Sequence, residues 1–287
     1  MPEIIKTIPE MRARATAWKK EGLSLGLVPT MGFLHAGHQS LIDRARAEND
    51  RVVVSIFVNP IQFGPSEDLT NYPRDLERDQ EVCRAAEAIF LPSASDMYPP
   101  EARAWVTMTG LTETLCGASR PGHFQGVLTV VTKLFNIVQP DRAYFGRKDA
   151  QQLAAIDRLA RDLDMPVAVV PCPLVRDPDG LALSSRNIYL SPEERQAALV
   201  LSRSLAAGQR SLAAGETRAE KIKAEIRAMI KEEPLVKLDY LEIVDAATME
   251  PVSELDRPIL AALAAFVGRA RLIDNFTWPD PDAEIHI

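Results

Sequence analysis

Two histidines, His35 and His38, stand three positions apart in the run PTMGFLHAGHQSLI, Pro29–Ile42. An apolar segment ends at Val28, a glycine-bearing turn follows, and a helical pattern starts near Gly37. Backbone N–H groups at a helix start attract phosphate. Gly37 lets the chain pass close to a ligand, and paired imidazoles can donate hydrogen bonds to a phosphate chain. For these residues alone, a pair of surface histidines at a helix cap fits equally well. Zinc fits less well, because no cysteine or carboxylate stands nearby at ligand spacing.

Three further sets have the same character. In SIFVNPIQF, Ser55–Phe63, the polar residues Asn59 and Gln62 fall just past an apolar run. Gln62 has the chemistry to hold a carboxylate or hydroxyl, while Asn59–Pro60 alone reads as an ordinary turn. In AYFGRKDAQQ, Ala143–Gln152, a short strand pattern leads through Gly146 to Lys148, Asp149, Gln151 and Gln152. Lys148 can place a point charge on phosphate, and Asp149 serves equally well as a helix cap. In LALSSRN, Leu181–Asn187, two hydroxyls and a guanidinium could clamp a phosphate; a serine turn with a surface arginine is the plain alternative. Each set is weak by itself. Four coincidences in this order are harder to accept than one composite site.

The elements that must position these sets alternate. Leu23–Val28, Arg51–Val58, Ala88–Leu91, Ala143–Phe145 and Val167–Val170 read as strands. Helical patterns start near Gly37 and cover Leu76–Glu87, Phe124–Val138 and Ala150–Leu163. Arg51–Val58 is apolar along most of its length, which suits a parallel strand buried on both faces. Repeated strand–helix–strand units imply an α/β fold with a Rossmann-like, doubly wound parallel sheet, whose ligands sit beyond the carboxyl ends of the strands. The pattern changes after Pro171. Ser191-Pro192-Glu193-Glu194 is a helix start with a cap, a first-turn proline and acids near the positive end. A helix over Thr217–Glu232 and strands over Leu238–Val244, Ile259–Val267 and Ala270–Ile273 complete a smaller α+β domain. The expected boundary lies near Leu174, giving residues 1–174 and 175–287.

Composition narrows the function classes. Hydrophobic residues at 46% and charged residues at 25% describe a globular chain with a core and not a disordered tail. The net charge of −7 argues against nucleic acid as a partner. No apolar run is long enough to span a bilayer, and the first twenty residues lack the features of a signal peptide. Cys83, Cys116 and Cys172 are far apart and odd in number, so reduced, mostly buried thiols in a cytoplasmic protein are expected.

The succession PTMGFLHAGH, VSIFVNPIQF, YPR, RPGHFQGV, FGRKDAQQ, DGLALSSRNIYLS and RLIDN resembles the pantoate–β-alanine ligases over nearly the whole chain. That family is one of the HIGH-motif nucleotidyltransferases, related to class I aminoacyl-tRNA synthetases. The resemblance implies a reaction of ATP, (R)-pantoate and β-alanine to pantothenate, AMP and pyrophosphate through a pantoyl-adenylate. It also implies Mg²⁺, a homodimer and a place in coenzyme A synthesis. Carried over by motif, His35, His38, Lys148, Ser184, Ser185 and Arg186 would be the catalytic set. Pro29, Thr30, Met31, Gly32, Gly146, Asp149, Val175 and Leu183 would complete the ATP site. Gln62, Gln152 and Met31 would hold pantoate, and Asp79, downstream of YPR, would contact magnesium. Arg120 and His123 fall near the pantoate pocket without an assigned role. Ala150 stands where the family commonly has an aromatic residue, which bears on local packing of that helix.

The implied chemistry is consistent with these side chains. Pantoate is ionised at neutral pH, so adenylation needs no general base, and positioning with charge compensation does the work. A nucleotidyltransferase acting on a phosphorylated substrate would need basic residues in place of Gln62 and Gln152. A tRNA synthetase fragment would need a basic RNA-binding face, and a non-catalytic nucleotide-binding module would be expected to lack part of the charged set.

Overall fold

The computed structural model describes residues 1–65 and 67–280. The chain forms two compact units. The first comprises Met1–Met108, Arg120–Arg147 and Gln152–Cys172. The second begins in earnest at Pro173 but also takes two short segments from earlier in the chain, Thr109–Ser119 and Lys148–Gln151.

In the first unit six strands run parallel in the order β1-β4-β3-β2-β5-β6. They are β1 (Glu3–Ile5), β2 (Leu25–Thr30), β3 (Arg51–Ile56), β4 (Ala88–Phe90), β5 (Arg142–Gly146) and β6 (Ala168–Cys172). The chain winds outward from β2 through β3 to β4 on one side and from β5 to β6 on the other. The switch point of the sheet therefore lies between β2 and β5, where open α/β sheets bind ligands. Val52, Val53 and Val54 of β3 are all buried, as a strand covered on both faces requires.

The crossovers are α1 (Ile8–Lys20), α2 (Ala36–Glu48), α3 (Leu76–Val82), the single-turn α4 (Ala94–Met97), α6 (His123–Val138) and α7 (Ala150–Asp162); α5 (Leu115–Ser119) lies in the second unit. Helix α1 carries a full capping box, with Thr7 and Glu10 satisfying each other's backbone N–H groups. Gly126 of α6 is required by packing, because a Cβ there would lie 2.5 Å from the Gln62 Cα.

The second unit is built on the antiparallel sheet β7-β8-β9: β7 (Val236–Asp245), β8 (Ile259–Val267) and β9 (Ala270–Trp278). Helices α8 (Pro192–Ala213) and α9 (Ala219–Lys231) cover it. Leu201, Leu205, Ile222, Ile226, Leu241, Ile243 and Leu263 form the apolar centre between them. The capping box of Ser191 and Glu194 starts α8 where the sequence placed a helix start. All three cysteines are buried, and none is in a disulfide among the described residues. Among the described residues, no helix is long and apolar enough to cross a membrane.

Strand β9 is longer than the sequence suggested, continuing past Ile273 through Asp274 and Asn275 to Trp278. Helix α3 is shorter, ending at Val82 before a 3-10 turn at Cys83–Ala85. Strand β1 and helices α1, α4 and α5 were not foreseen.

Candidate active site

In the first unit the loop leaving β2 carries His35 and His38. Pro29 and Thr30 are the last residues of β2. The Thr30 hydroxyl donates to the Ser55 carbonyl at 2.7 Å and accepts from the Gly32 N–H at 3.2 Å. The backbone then turns through positive φ at both Gly32 (85°) and Phe33 (50°). A side chain at residue 32 would lie 3.0 Å from an Asp79 oxygen and from Ile56.

His35 and His38 form a capping box made of two imidazoles. The Gly37 N–H donates to His35 Nδ1 at 3.2 Å, and the His35 N–H donates to His38 Nδ1 at 3.3 Å. Both Nδ1 atoms are therefore acceptors, and each neutral ring carries its proton on Nε2. The rings lie 4.1 Å apart, centroid to centroid. The Gly37 and His38 amides, expected from the sequence to face phosphate, are engaged inside the turn; the His38 N–H binds the His35 carbonyl at 2.8 Å. What this helix start presents to an anion is thus a pair of imidazole N–H donors beside the helix dipole.

Asp79 lies in this unit too, on α3, and is only 2% exposed. Its carboxylate accepts from the Phe33 N–H at 3.0 Å and the Leu34 N–H at 2.6 Å. Burial pushes this carboxyl above the usual range, against the pull of those two amides. Among the described residues there is no group of three His, Cys, Asp or Glu side chains placed to hold a metal ion. Asp79, expected from the resemblance to contact magnesium, has both carboxylate oxygens on the Phe33 and Leu34 amides.

Gln62 and Met31, both expected from the resemblance to hold pantoate, are in contact. Gln62 sits in a 3-10 turn, Pro60–Gln62, and is 9% exposed. Its amide donates to Met31 Sδ at 3.2 Å and accepts from Asn59 Nδ2 at 2.9 Å. Asn59 is fixed in turn by the Gly126 carbonyl at 3.0 Å and the Tyr98 hydroxyl at 2.8 Å. Arg120 and His123 support the same turn. His123 Nδ1 binds the Gln62 carbonyl at 2.9 Å, and Arg120 reaches His123 Nε2 at 3.0 Å. Glu67 anchors Arg120 through paired hydrogen bonds of 2.7 and 2.6 Å. Burial opposes the Glu67 charge, but Arg120 outweighs it and holds the carboxyl below its ordinary range. Gln152, on α7, is half-buried.

In the second unit lie Lys148, Asp149, Val175, Leu183, Ser184, Ser185 and Arg186. Gly146 ends β5 in the first unit, two residues before Lys148. The Lys148 ammonium lies 3.5 Å from the Asp149 carboxylate, and its carbonyl accepts from Asn275 Nδ2 at 2.8 Å. Gln151, 6% exposed, turns inward and binds three backbone groups: the Leu111 carbonyl at 2.9 Å, the Thr114 carbonyl at 2.8 Å and the Cys116 N–H at 2.9 Å. The segment Val175–Leu183 folds back on itself, with the Leu183 N–H on the Val175 carbonyl at 3.0 Å. Arg176 grips Asp274 with two bonds of 2.7 and 2.9 Å, and Arg195 ties Asp177 and Asp179 together. Ser184 then caps the short helix Ser185–Tyr189 by accepting from the Arg186 N–H at 3.2 Å.

The supporting residues Asn59, Tyr98, Glu67, Gln151, Asp274 and Asn275 carried no role in the sequence reading. The RLIDN motif was the one visible signal for the last two; nothing local marks Tyr98 or Glu67.

Comparison with known proteins gives the family of the chain. The family model for pantoate-beta-alanine ligase matches residues 3–277. A pantothenate synthetase of Clostridium acetobutylicum is 56% identical over 278 residues, covering 96% of this chain and 99% of that protein. One from Thermotoga petrophila is 56% identical over 275 residues, covering 95% and 98%. The crystal structure of pantothenate synthetase from Thermus thermophilus superposes with a TM-score of 0.89 at 46% identity, covering 96% and 98%. A pantoate-beta-alanine ligase from Francisella tularensis, complexed with beta-gamma ATP and beta-alanine, gives 0.78 at 34% identity, covering 96% and 97%. With a match across nearly its whole length, the chain belongs to the pantoate–β-alanine ligase family.

Proposed function

We propose that this protein condenses pantoate with β-alanine at the expense of ATP, releasing pantothenate, AMP and pyrophosphate through a pantoyl-adenylate. The observation that carries the reading is the His35–His38 turn, two Nε2–H donors at the carboxyl end of β2, in a chain the family matches over residues 3–277. Relatives named pantothenate synthetase, and a relative complexed with ATP and β-alanine, support the substrate set.

In the first step a pantoate carboxylate oxygen attacks the α-phosphorus of ATP. A new C–O–P linkage forms, the bond from the α-phosphorus to the bridging oxygen breaks, and pyrophosphate leaves. Neutral imidazoles at His35 and His38 donate hydrogen bonds to the phosphate chain, while Lys148 and Arg186 supply positive charge and Ser184 and Ser185 supply hydroxyls. Pro29, Thr30, Met31, Gly32, Gly146, Asp149, Val175 and Leu183 line the nucleotide in the same proposal. Mg²⁺ arrives with the nucleotide as part of the substrate. Gln62 and Gln152 read the pantoate hydroxyl and carboxylate, with Met31 along its apolar side. In the second step the neutral β-alanine amine attacks the acyl carbon, AMP departs, and the amine proton is lost to solvent or buffer. A water-excluding site would protect the anhydride in between. A homodimer in the cytoplasm belongs to this reading, on the family resemblance alone.

Pyrophosphate–ATP isotope exchange is the test. Exchange is expected with pantoate and no β-alanine, and pyrophosphate release should require both ATP and pantoate. Exchange that appears only with all three substrates present overturns the adenylate route. Absence of turnover with pantoate and β-alanine overturns the substrate assignment.

A further inference from the structure

The turn leading into His35 and His38 is held from helix α3. Two successive residues with positive φ, Gly32 and Phe33, rotate the amides that follow them toward one side. Such a backbone makes a small concave nest of N–H groups that binds an anion. The anion in this nest is Asp79. Its Oδ2 takes the Phe33 N–H and its Oδ1 takes the Leu34 N–H, across 46 and 45 residues of sequence. Non-glycine residues resist the left-handed region, so Phe33 at φ 50° persists only if its surroundings hold it there. Helix α3 does so twice over. One residue before Asp79, the Arg78 guanidinium stacks over the Phe33 ring at 4.9 Å. At residue 32 there is no room for a Cβ against Asp79 and Ile56.

The next residue is His35, whose own N–H sets the tautomer of His38. A change in the path of Phe33 and Leu34 is therefore passed directly to both imidazoles. A magnesium contact needs an oxygen edge open to the ion and further oxygen ligands around it. The Asp79 carboxylate is 2% exposed, both oxygens accept backbone N–H groups, and no metal-binding cluster surrounds it among the described residues.

We infer that Asp79 is a positioning residue which, through its carboxylate on the Phe33 and Leu34 amides, sets the geometry of His35 and His38, and that it does not bind magnesium. This deepens the proposed function and rests on it for the role of the two histidines.

Asp79→Asn tests the inference, since it keeps the shape but replaces one acceptor with an N–H₂ facing a backbone N–H. Hydrogen exchange of the Phe33 and Leu34 amides in the nucleotide-free protein should accelerate at least tenfold. The kcat should fall at least tenfold, and the Mg²⁺ concentration for half-maximal rate at fixed ATP should not move. A Mg²⁺ requirement that rises in step with the lost activity, with both amides still protected, overturns the inference. So does a variant with unchanged exchange and unchanged turnover. If Asp79→Asn fails to fold, the wild-type protein without nucleotide is titrated with Mn²⁺ as a paramagnetic probe. Undisturbed Phe33 and Leu34 amide signals are expected, and selective broadening at these two overturns the inference. The exchange and Mn²⁺ readings need no substrate, so a failed pyrophosphate assay beside accelerated exchange would sink the ligase reading alone.

Discussion

The turn that carries His35 and the turn that carries Lys148 both follow a parallel strand, yet they are held by different chemistry. The first is clamped by a buried carboxylate on a left-handed backbone, with Asp79 accepting two amides and Arg78 on the Phe33 ring. The second is clamped by neutral amides, Asn275 on the Lys148 carbonyl and Gln151 on the 111–116 segment. Charge-assisted hydrogen bonds are roughly twice as strong as neutral ones. An ionised clamp therefore grips its turn more strongly than a neutral one. In return it titrates, and it carries the cost of burying a charge. Asn275 and Gln151 do not titrate, and the segment Gln151 holds also contains a left-handed residue, Leu115 at φ 49°.

That contrast can be broken or sharpened in four ways. Removing a group proposed to meet the phosphates should cost most. Lys148→Ala and His38→Ala should each lose about 3 kcal/mol of transition-state stabilisation, mainly in kcat, by analogy with an oxyanion-hole donor. Steady-state kinetics on folded variants check this, and near-normal turnover removes the residue from the catalytic set. Gln151→Ala comes next, as a stability effect. It strands two carbonyls and one N–H inside the second unit, for roughly 2 kcal/mol in a denaturant titration. A change within a few tenths of a kcal/mol would mean that water replaces the amide easily.

Asn275→Ala should be milder, about 1 kcal/mol in ATP binding, because it removes one neutral bond to a backbone carbonyl. If it acts through Lys148, its effect should vanish in the Lys148→Ala background, so the double-mutant cycle is the measurement. Full additivity would make Asn275 a general support of the sheet and not a clamp on the lysine.

The smallest effect is the pH dependence that only the first clamp should show. The folded-state pKa of Asp79 is raised, chiefly by burial. Between the ordinary aspartate value and that raised value, the folded state binds more protons than the unfolded state. This residue's contribution to stability therefore declines as pH rises through that window and recovers on acidification. The clamp runs the other way, because protonation removes the anion from the nest. On acidification into the window, the activity difference between wild type and Asp79→Asn should shrink while the stability difference moves in favour of wild type. Paired activity and melting profiles of the two proteins read both signs. Parallel loss of activity and stability in that window would contradict the assignment.

Much of this was legible locally. The helix start at Ser191 is a cap, a proline and two acids in a row, and α8 begins at Pro192. The same grammar stood at Thr7-Ile8-Pro9-Glu10, where α1 begins and the sequence reading named no helix. Other misses had no local signal to read. The sequence placed the strand end at Val28; β2 runs through to Thr30 beside β3, past Leu27, where its pairing with β5 stops. Asp274 and Asn275 look like turn residues, so β9 seemed to end at Ile273. They continue the strand because Arg176 neutralises the one and the Lys148 carbonyl binds the other.

The sequence by itself therefore determined the alternation of strands and helices, the family, and the residue types proposed to meet ATP and pantoate. These depend on hydrophobic period, capping signals and short motifs, all of which act within a few residues of chain. The tertiary structure alone decided the tautomers of His35 and His38, the inward turn of Gln151, the pinning of Gln62 by Arg120 and His123, and the contacts of Asp79. Each depends on which donor meets which acceptor across tens of residues. A carboxylate is the same carboxylate in sequence whether its oxygens face a cation in water or two amides in the core, and only burial and contact separate the two.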